Sequence, residues 1–176
     1  MHQLLLLRHA KSSWDDQAIP DRDRTLTPRG RRAAVTMRRA MREHGLAPDL
    51  VLVSAAARTM ETARLLEPWD DTPLTEPMDD LYLAGAAHLL AVLRDVPETV
   101  RTVLVIGHNP GLHDLAMLLS DPRGSAEPPL RAVREGFPTG ALAAFALTFP
   151  WSRLDAGGGR LIRFLTPRSQ AAAGGG

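Results

Sequence analysis

The stretch Gln3-Leu4-Leu5-Leu6-Leu7-Arg8-His9-Ala10 opens on four consecutive leucines and stops at a cation. An apolar run this short, with no alternation, suits a strand covered on both faces, as in a parallel sheet. Two later runs repeat it: Asp49-Leu50-Val51-Leu52-Val53, rich in β-branched residues, and Thr102-Val103-Leu104-Val105-Ile106. Helical patterns lie between and after them. Thr27 as N-cap and Pro28 at the first helical position open a helix in which Ala33, Met37, Ala40, Met41 and His44 recur at helical spacing, until Gly45 and Pro48 end it. Residues 55–66 read as a helix with Met60, Ala63 and Leu66 inward, and 83–93 as another. Asn109 as cap and Pro110 at the first position begin a fourth, running to about Ser120.

Strands alternating with helices predict an α/β fold, a three-layer sandwich whose mostly parallel central sheet is flanked by helices. Two more strands are expected over 141–149 and 160–165, joined around Gly157-Gly158-Gly159. Residues 11–25, the connection from Pro68 through Pro73 to Asp79-Asp80, and the stretch 121–138 read as loops. Residues 1–167 are expected as a single domain, with 168–176 a flexible low-complexity tail.

Composition removes several functions. The 176 residues are 44% hydrophobic and 23% charged, a globular balance. With no cysteine there is neither a disulfide nor a thiolate metal site. A net charge of +1 gives no basis for a nucleic-acid partner. No segment approaches membrane-spanning length, and the start lacks a basic region and a cleavage site, so the expected location is the cytoplasm, with no membrane partner. Every basic residue but Lys11 is arginine. Most read as solvated surface, including Arg29, Arg31, Arg32, Arg38, Arg39 and Arg42, but a guanidinium is also a rigid, permanently charged anion clamp.

Ligands of open α/β sheets bind beyond the carboxyl ends of the strands. The first strand delivers Arg8 and His9 there. The second delivers Ser54 and, one turn into its helix, Arg58. The third delivers His108. Two arginines and two histidines at one sheet edge suit a phosphoryl group, gripped by guanidinium forks and by helix N-termini. Phosphoryl transfer needs mainly positioning and charge stabilisation, and a neutral histidine is a competent nucleophile. His2, His44, His88 and His113 lack that placement and read as structural. No HExxH, GxGxxG or GxxxxGK[ST] pattern occurs, so neither a metal nor a nucleotide cofactor is expected.

Taken together, several stretches resemble the histidine phosphatase superfamily, with its phosphoglycerate mutase-like fold. They are Leu-Arg8-His9-Ala10-Lys11-Ser12-Ser13-Trp14, Asp23-Arg24-Thr-Leu26-Thr-Pro-Arg-Gly30, Ser54-Ala-Ala-Ala-Arg58-Thr59-Met-Glu-Thr62-Ala63, Gly107-His108-Asn109-Pro110-Gly111 and Pro138-Thr139-Gly140-Ala141. The resemblance implies a phosphorylated nucleophile at His9, a phosphate pocket of Arg8, Arg58 and His108, and no cofactor. Ala10-Lys11-Ser12, the small size and Gly-His-Asn-Pro-Gly are similar to the SixA-type phosphohistidine phosphatases. Lys11 and Ser12 are candidate substrate contacts.

The general acid departs from the family pattern. The acid phosphatase branch carries aspartate directly after its second histidine, where Asn109 stands here. The mutase branch uses a glutamate downstream of its second arginine, where this chain offers Glu76, Asp79 and Asp80. Asp80 is the first candidate and Asp79 the next; both equally fit a plain role introducing the following helix. An alkoxide leaving group needs a proton strongly, whereas imidazole, with a conjugate-acid pKa of about 6.5, leaves far more easily. Weak acid catalysis therefore favours phosphohistidine over phosphate monoesters. The expected function is a cofactor-independent phosphatase that takes phosphate from phosphohistidine on a partner protein, such as a histidine phosphotransfer domain. The alternatives are hydrolysis of small phosphorylated metabolites and a non-catalytic module that binds a phospho-ligand.

Overall fold

In the computed structural model, which describes residues 1–175, the four leucines lie inside strand β1 (His2–Arg8) and are buried on both faces. Leu4 and Leu6 join one core cluster and Leu5 and Leu7 the other, so alternation along a single strand feeds both layers. Full burial contributes roughly 1.5–3 kcal/mol per leucine.

The first helix, α1 (Pro28–Glu43), is capped as expected: Thr27 Oγ1 accepts from the Gly30 amide at 2.9 Å. Ala34, rather than Ala33, turns inward beside Met37, Ala40 and Met41. Strand β2 (Leu50–Ser54) leads into α2 (Ala57–Leu66). Here the expectation holds for Leu66 but is incomplete. The buried face of α2 is Arg58, Thr59, Thr62 and Leu66, while Met60 and Ala63 are only partly covered.

Strand β3 (Leu74–Met78) pairs in parallel with β2 within the stretch read as a connection. It is an exposed edge strand containing Pro77, so neither burial nor alternation marks it. Helix α3 (Ala86–Arg94) begins three residues later than its pattern, after Leu83 adopts a left-handed φ of 52°. Strand β4 (Thr102–Gly107) precedes α4 (Gly111–Leu119). Pro110 occupies the cap position of α4, and Asn109 does not cap it: its Nδ2 donates to the Phe137 carbonyl at 2.8 Å.

Two helices occupy stretches read as irregular. Helix α5 (Glu127–Glu135) buries only Leu130 and Val133, which left little periodicity to detect, although Pro128 and Pro129 mark its first turn. After β5 (Leu142–Leu147) and β6 (Gly159–Leu165), residues expected as a flexible tail form α6 (Pro167–Ala173). A reciprocal capping box starts it, with Thr166 and Ser169 each bonding the other's amide at 3.1 Å. It packs on α1.

The sheet order is β3-β2-β4-β1-β5-β6. The first four are parallel, and β5 and β6 join antiparallel. Among the described residues no helix is long and apolar enough to cross a membrane.

Candidate active site

Arg8 and His9 leave β1 at the carboxyl edge of the parallel strands, flanked by two neighbours. The His9 amide donates to the Gly107 carbonyl at the end of β4, at 3.1 Å. On the other side the Gly140 amide donates to the carbonyls of His9 and Arg8, at 3.0 and 3.1 Å. Gly140 has φ +76°, and a Cβ there would stand 2.7 Å from Pro167, so glycine is what allows this close approach. The Ala10 amide donates to Thr62 Oγ1 at 3.1 Å, which ties the segment to α2.

Nδ1 of His9 lies 2.7 Å from the Ala10 carbonyl. A carbonyl only accepts, so Nδ1 carries the ring proton and Nε2 the lone pair. The ring's pKa is lowered from 6.5 to about 4: burial dominates, the Ala10 bond opposes it, and Arg58, Arg8 and Arg24 add to the lowering. The ring of His108 sits 5.4 Å from that of His9, centroid to centroid, and its Nε2 is 2.7 Å from Ser54 Oγ. Burial, followed by Arg58, takes His108 down to about 3. Both rings are therefore neutral at pH 7.

A hollow of about 480 Å³ holds Arg8, His9, Arg58 and His108 together. Lys11 and Ser12 also line it, Lys11 exposed and Ser12 buried. Asp79 and Asp80 do not. Asp80 pairs with His88 at 3.0 Å beside a separate hollow under α3, and Asp79 pairs with Arg22. The expected acid is thus not brought to the site by either residue.

The carboxylate that reaches the hollow is Asp21, on a short 3-10 turn (Asp21–Asp23) inside the stretch read as a loop. Arg58 donates to its backbone carbonyl at 2.7 Å and to Oδ2 at 3.2 Å, Arg24 pairs with Oδ1 at 2.7 Å, and the Tyr82 hydroxyl donates to Oδ2. The Tyr82 bond first, then Arg58 and Arg24, holds the Asp21 carboxyl below the usual range, so it is ionised. Arg24 is buried, with exposed Trp14 stacked over its guanidinium at 3.2 Å. Arg24 had a signal, since it lies in the Asp23-Arg24 segment. Asp21 and Tyr82 had none, because their contacts with Arg58 and with each other span long chain separations, and the Asp21–Arg24 pair three residues apart does not by itself mark a site.

Among the described residues, five buried side-chain polar atoms have no hydrogen-bond partner in the protein. They are Arg8 Nε, Arg24 Nε, Arg58 Nε, His108 Nδ1 and Asn109 Oδ1, and all belong to residues lining this hollow. Buried polar groups are ordinarily satisfied. No group of three or more His, Asp or Glu side chains placed to hold a metal is found among the described residues.

The fold and the hollow thus define an α/β protein with arginines and neutral histidines gathered in one hollow at the carboxyl edge of its parallel strands. Comparison with known proteins agrees. Residues 4–79 match the histidine phosphatase superfamily (branch 1). An uncharacterized protein of Mycobacterium tuberculosis is 33% identical over 162 residues, 92% of this chain and 100% of its own length. A candidate phosphohistidine phosphatase SixA from Nakamurella multipartitia superposes with a TM-score of 0.82 at 31% identity, covering 94% of this chain and 96% of that one. A protein histidine phosphatase SixA complexed with tungstate gives a TM-score of 0.71 at 25% identity, covering 95% and 98%. The chain belongs to the histidine phosphatase superfamily and is SixA-like, a phosphatase of the histidine-phosphatase type.

Proposed function

We propose that this protein removes phosphate from phosphohistidine on a partner protein, such as a histidine phosphotransfer domain, with His9 Nε2 as nucleophile. The observation that carries this reading is the Nδ1 bond to Ala10, which leaves the lone pair on Nε2 in a hollow ringed by unpaired donors. The likeness to a SixA solved with tungstate, a tetrahedral oxyanion, supports it.

In the first step Nε2 attacks phosphorus while the N–P bond of the substrate breaks. Its electron pair stays on the departing imidazole, which takes its proton from solvent. Arg8 and Arg58 hold the phosphoryl oxygens and His108 donates a hydrogen bond to them. Water then forms a new O–P bond, the His9 Nε2–P bond breaks, and inorganic phosphate leaves with His9 neutral again. No protonated carboxyl faces the leaving group, because Asp79 and Asp80 are turned away and Asp21 is ionised. Imidazole leaves under those conditions more easily than an alkoxide does.

The test is rapid-quench labelling together with a turnover panel on one preparation. The panel compares a phosphorylated phosphotransfer domain, phosphoramidate, p-nitrophenyl phosphate and sugar phosphates. Wild type should show acid-labile label on His9 and favour the phosphohistidine protein, and His9→Ala should show no label. Equal labelling of the two proteins removes the mechanism. Fast sugar-phosphate turnover abolished by Asp80→Asn removes the substrate assignment.

A further inference from the structure

Ser54 closes β2 with its side chain fully buried, and its Oγ has two polar neighbours besides its own backbone. The Ala56 amide approaches as a donor at 3.5 Å, and Nε2 of His108 lies at 2.7 Å. A hydroxyl has one proton to give; the Ala56 amide can only donate, so of the two neighbours only His108 Nε2 can take that proton. Were Nε2 to carry the ring proton instead, Oγ would receive hydrogens from both sides. Its own proton would then be stranded in a dry site. The consistent arrangement is Ser54 O–H donating to Nε2, which puts the proton of the neutral ring on Nδ1.

Nδ1 of His108 is itself buried and without a partner, on a ring lining the same hollow as His9, Arg8 and Arg58. A proton there makes it a donor, the correct complement to a phosphoryl oxygen. The opposite tautomer would turn a lone pair toward that oxygen, losing one hydrogen bond and adding repulsion. The cationic surroundings alone would favour that lone pair, so the tautomer must be imposed from behind the ring.

We propose that Ser54 is a positioning residue that locks His108 in its Nδ1–H tautomer, so that this ring meets the transferring phosphoryl group as a hydrogen-bond donor. The inference rests on the reading of His9 and His108 as the residues that handle the phosphoryl group. It adds to that reading a residue which touches neither substrate nor product and acts only through His108.

The test combines long-range proton–nitrogen NMR on protein labelled with nitrogen-15 histidine with single-turnover labelling of His9. In wild type at pH 7, His108 should show a pyrrole-type Nδ1 and a pyridine-type Nε2. Ser54→Ala should shift the ring toward Nε2–H and slow His9 phosphorylation by about 10- to 100-fold, the range for losing the partner that fixes the tautomer of a metal-bound histidine. An Nε2–H tautomer in wild type overturns the proposal without any variant being needed. So does a Ser54→Ala protein that keeps both the wild-type tautomer and the wild-type rate. Failure of wild type to take label on His9 is a separate result: it removes the proposed function, and with it the catalytic consequence of the tautomer.

Discussion

Acidification from pH 7 to pH 5 should leave His9 almost wholly neutral while making the fold measurably less stable. Both effects come from one displaced ionisation. The ring's pKa falls from 6.5 to about 4, first through burial, partly offset by the Ala10 carbonyl, with Arg58, Arg8 and Arg24 adding to the fall. At pH 5 such a ring is about 90% neutral, whereas an ordinary histidine is about 3% neutral. In the unfolded chain the ring binds its proton near 6.5, and in the fold only near 4, so acid favours the unfolded chain. The stability held above pH 6.5 is lost progressively as pH falls toward 4, by about 3 kcal/mol for this ring. His108, pushed down to about 3, acts in the same direction, so a variant is needed to isolate His9. The His9 Cε1 shift, assigned by its loss in His9→Gln, should titrate near pH 4. Urea unfolding at pH 7 and pH 4.5 should give a smaller loss of stability in His9→Gln than in wild type. A midpoint near 6.5, or identical pH dependence in the two proteins, would refute the argument.

Two further outcomes concern Gly30 and Asp21. Gly30→Ala places a Cβ about 2.1 Å from the carbonyl oxygen of Lys11, a backbone atom that cannot swing aside. Unfolding should show a loss of about 1–3 kcal/mol, the range for an overpacked site, and unchanged stability would contradict the packing of α1 on Lys11. Asp21→Asn removes the single carboxylate held by Arg58 and Arg24. Calorimetric titration with inorganic phosphate should show binding tighter by about 5-fold, the scale of one charge pair at 4 Å in water, ~1 kcal/mol. Weaker binding would mean that Asp21 organises the arginines more than it competes with phosphate.

The parallel half of the fold was legible because β1, β2 and β4 are buried on both faces, and burial of that kind writes itself as unbroken apolar runs. Edge strand β3 and helices α5 and α6 bury few residues, so their pattern is faint; only Pro128-Pro129 and the Thr166–Ser169 box announced the two helices. Arg8, His9, Arg58 and His108 were legible through a rule of topology, each following a parallel strand. Asp21 was not, because Arg58 and Tyr82 stand 37 and 61 residues away and its local pair with Arg24 is what an ordinary surface turn would also show. The sequence reading placed the acid at Asp80 or Asp79, downstream of Arg58. Tyr82 does reach Asp21 and the ring of His108, but the 3-10 turn (Asp79–Leu81) directs the two aspartates to Arg22 and His88 instead.

The inward face of α2 was misread for a reason that bears on the site itself. Helical periodicity assigns apolar residues to the core, and beside Leu66 α2 buries Arg58, Thr59 and Thr62 more deeply than Met60 and Ala63. Thr59 Oγ1 donates to the Ser54 carbonyl at 2.6 Å and Thr62 Oγ1 to the Arg58 carbonyl at 2.7 Å, so both hydroxyls are satisfied locally. Arg58 is not: its Nε lacks a partner, as do those of Arg8 and Arg24. A fold that satisfies its buried threonines yet leaves buried guanidinium donors unpaired keeps them for something outside the chain. Charge narrows what that is. Three guanidinium groups against the one carboxylate of Asp21 leave a surplus of two positive charges, to which exposed Lys11 at the edge of the hollow adds a third. The lowered pKa values of His9 and His108 keep both rings from adding to that surplus. A positive surplus with unpaired N–H donors complements a phosphoryl group carrying negative charge, and a neutral His9 can still attack it. Protonating either ring would strengthen the grip on phosphate. It would also remove the nucleophile at His9 or reverse the Ser54–His108 hydrogen bond and strand the hydroxyl proton, so the burial that costs stability in acid also keeps His9 able to attack.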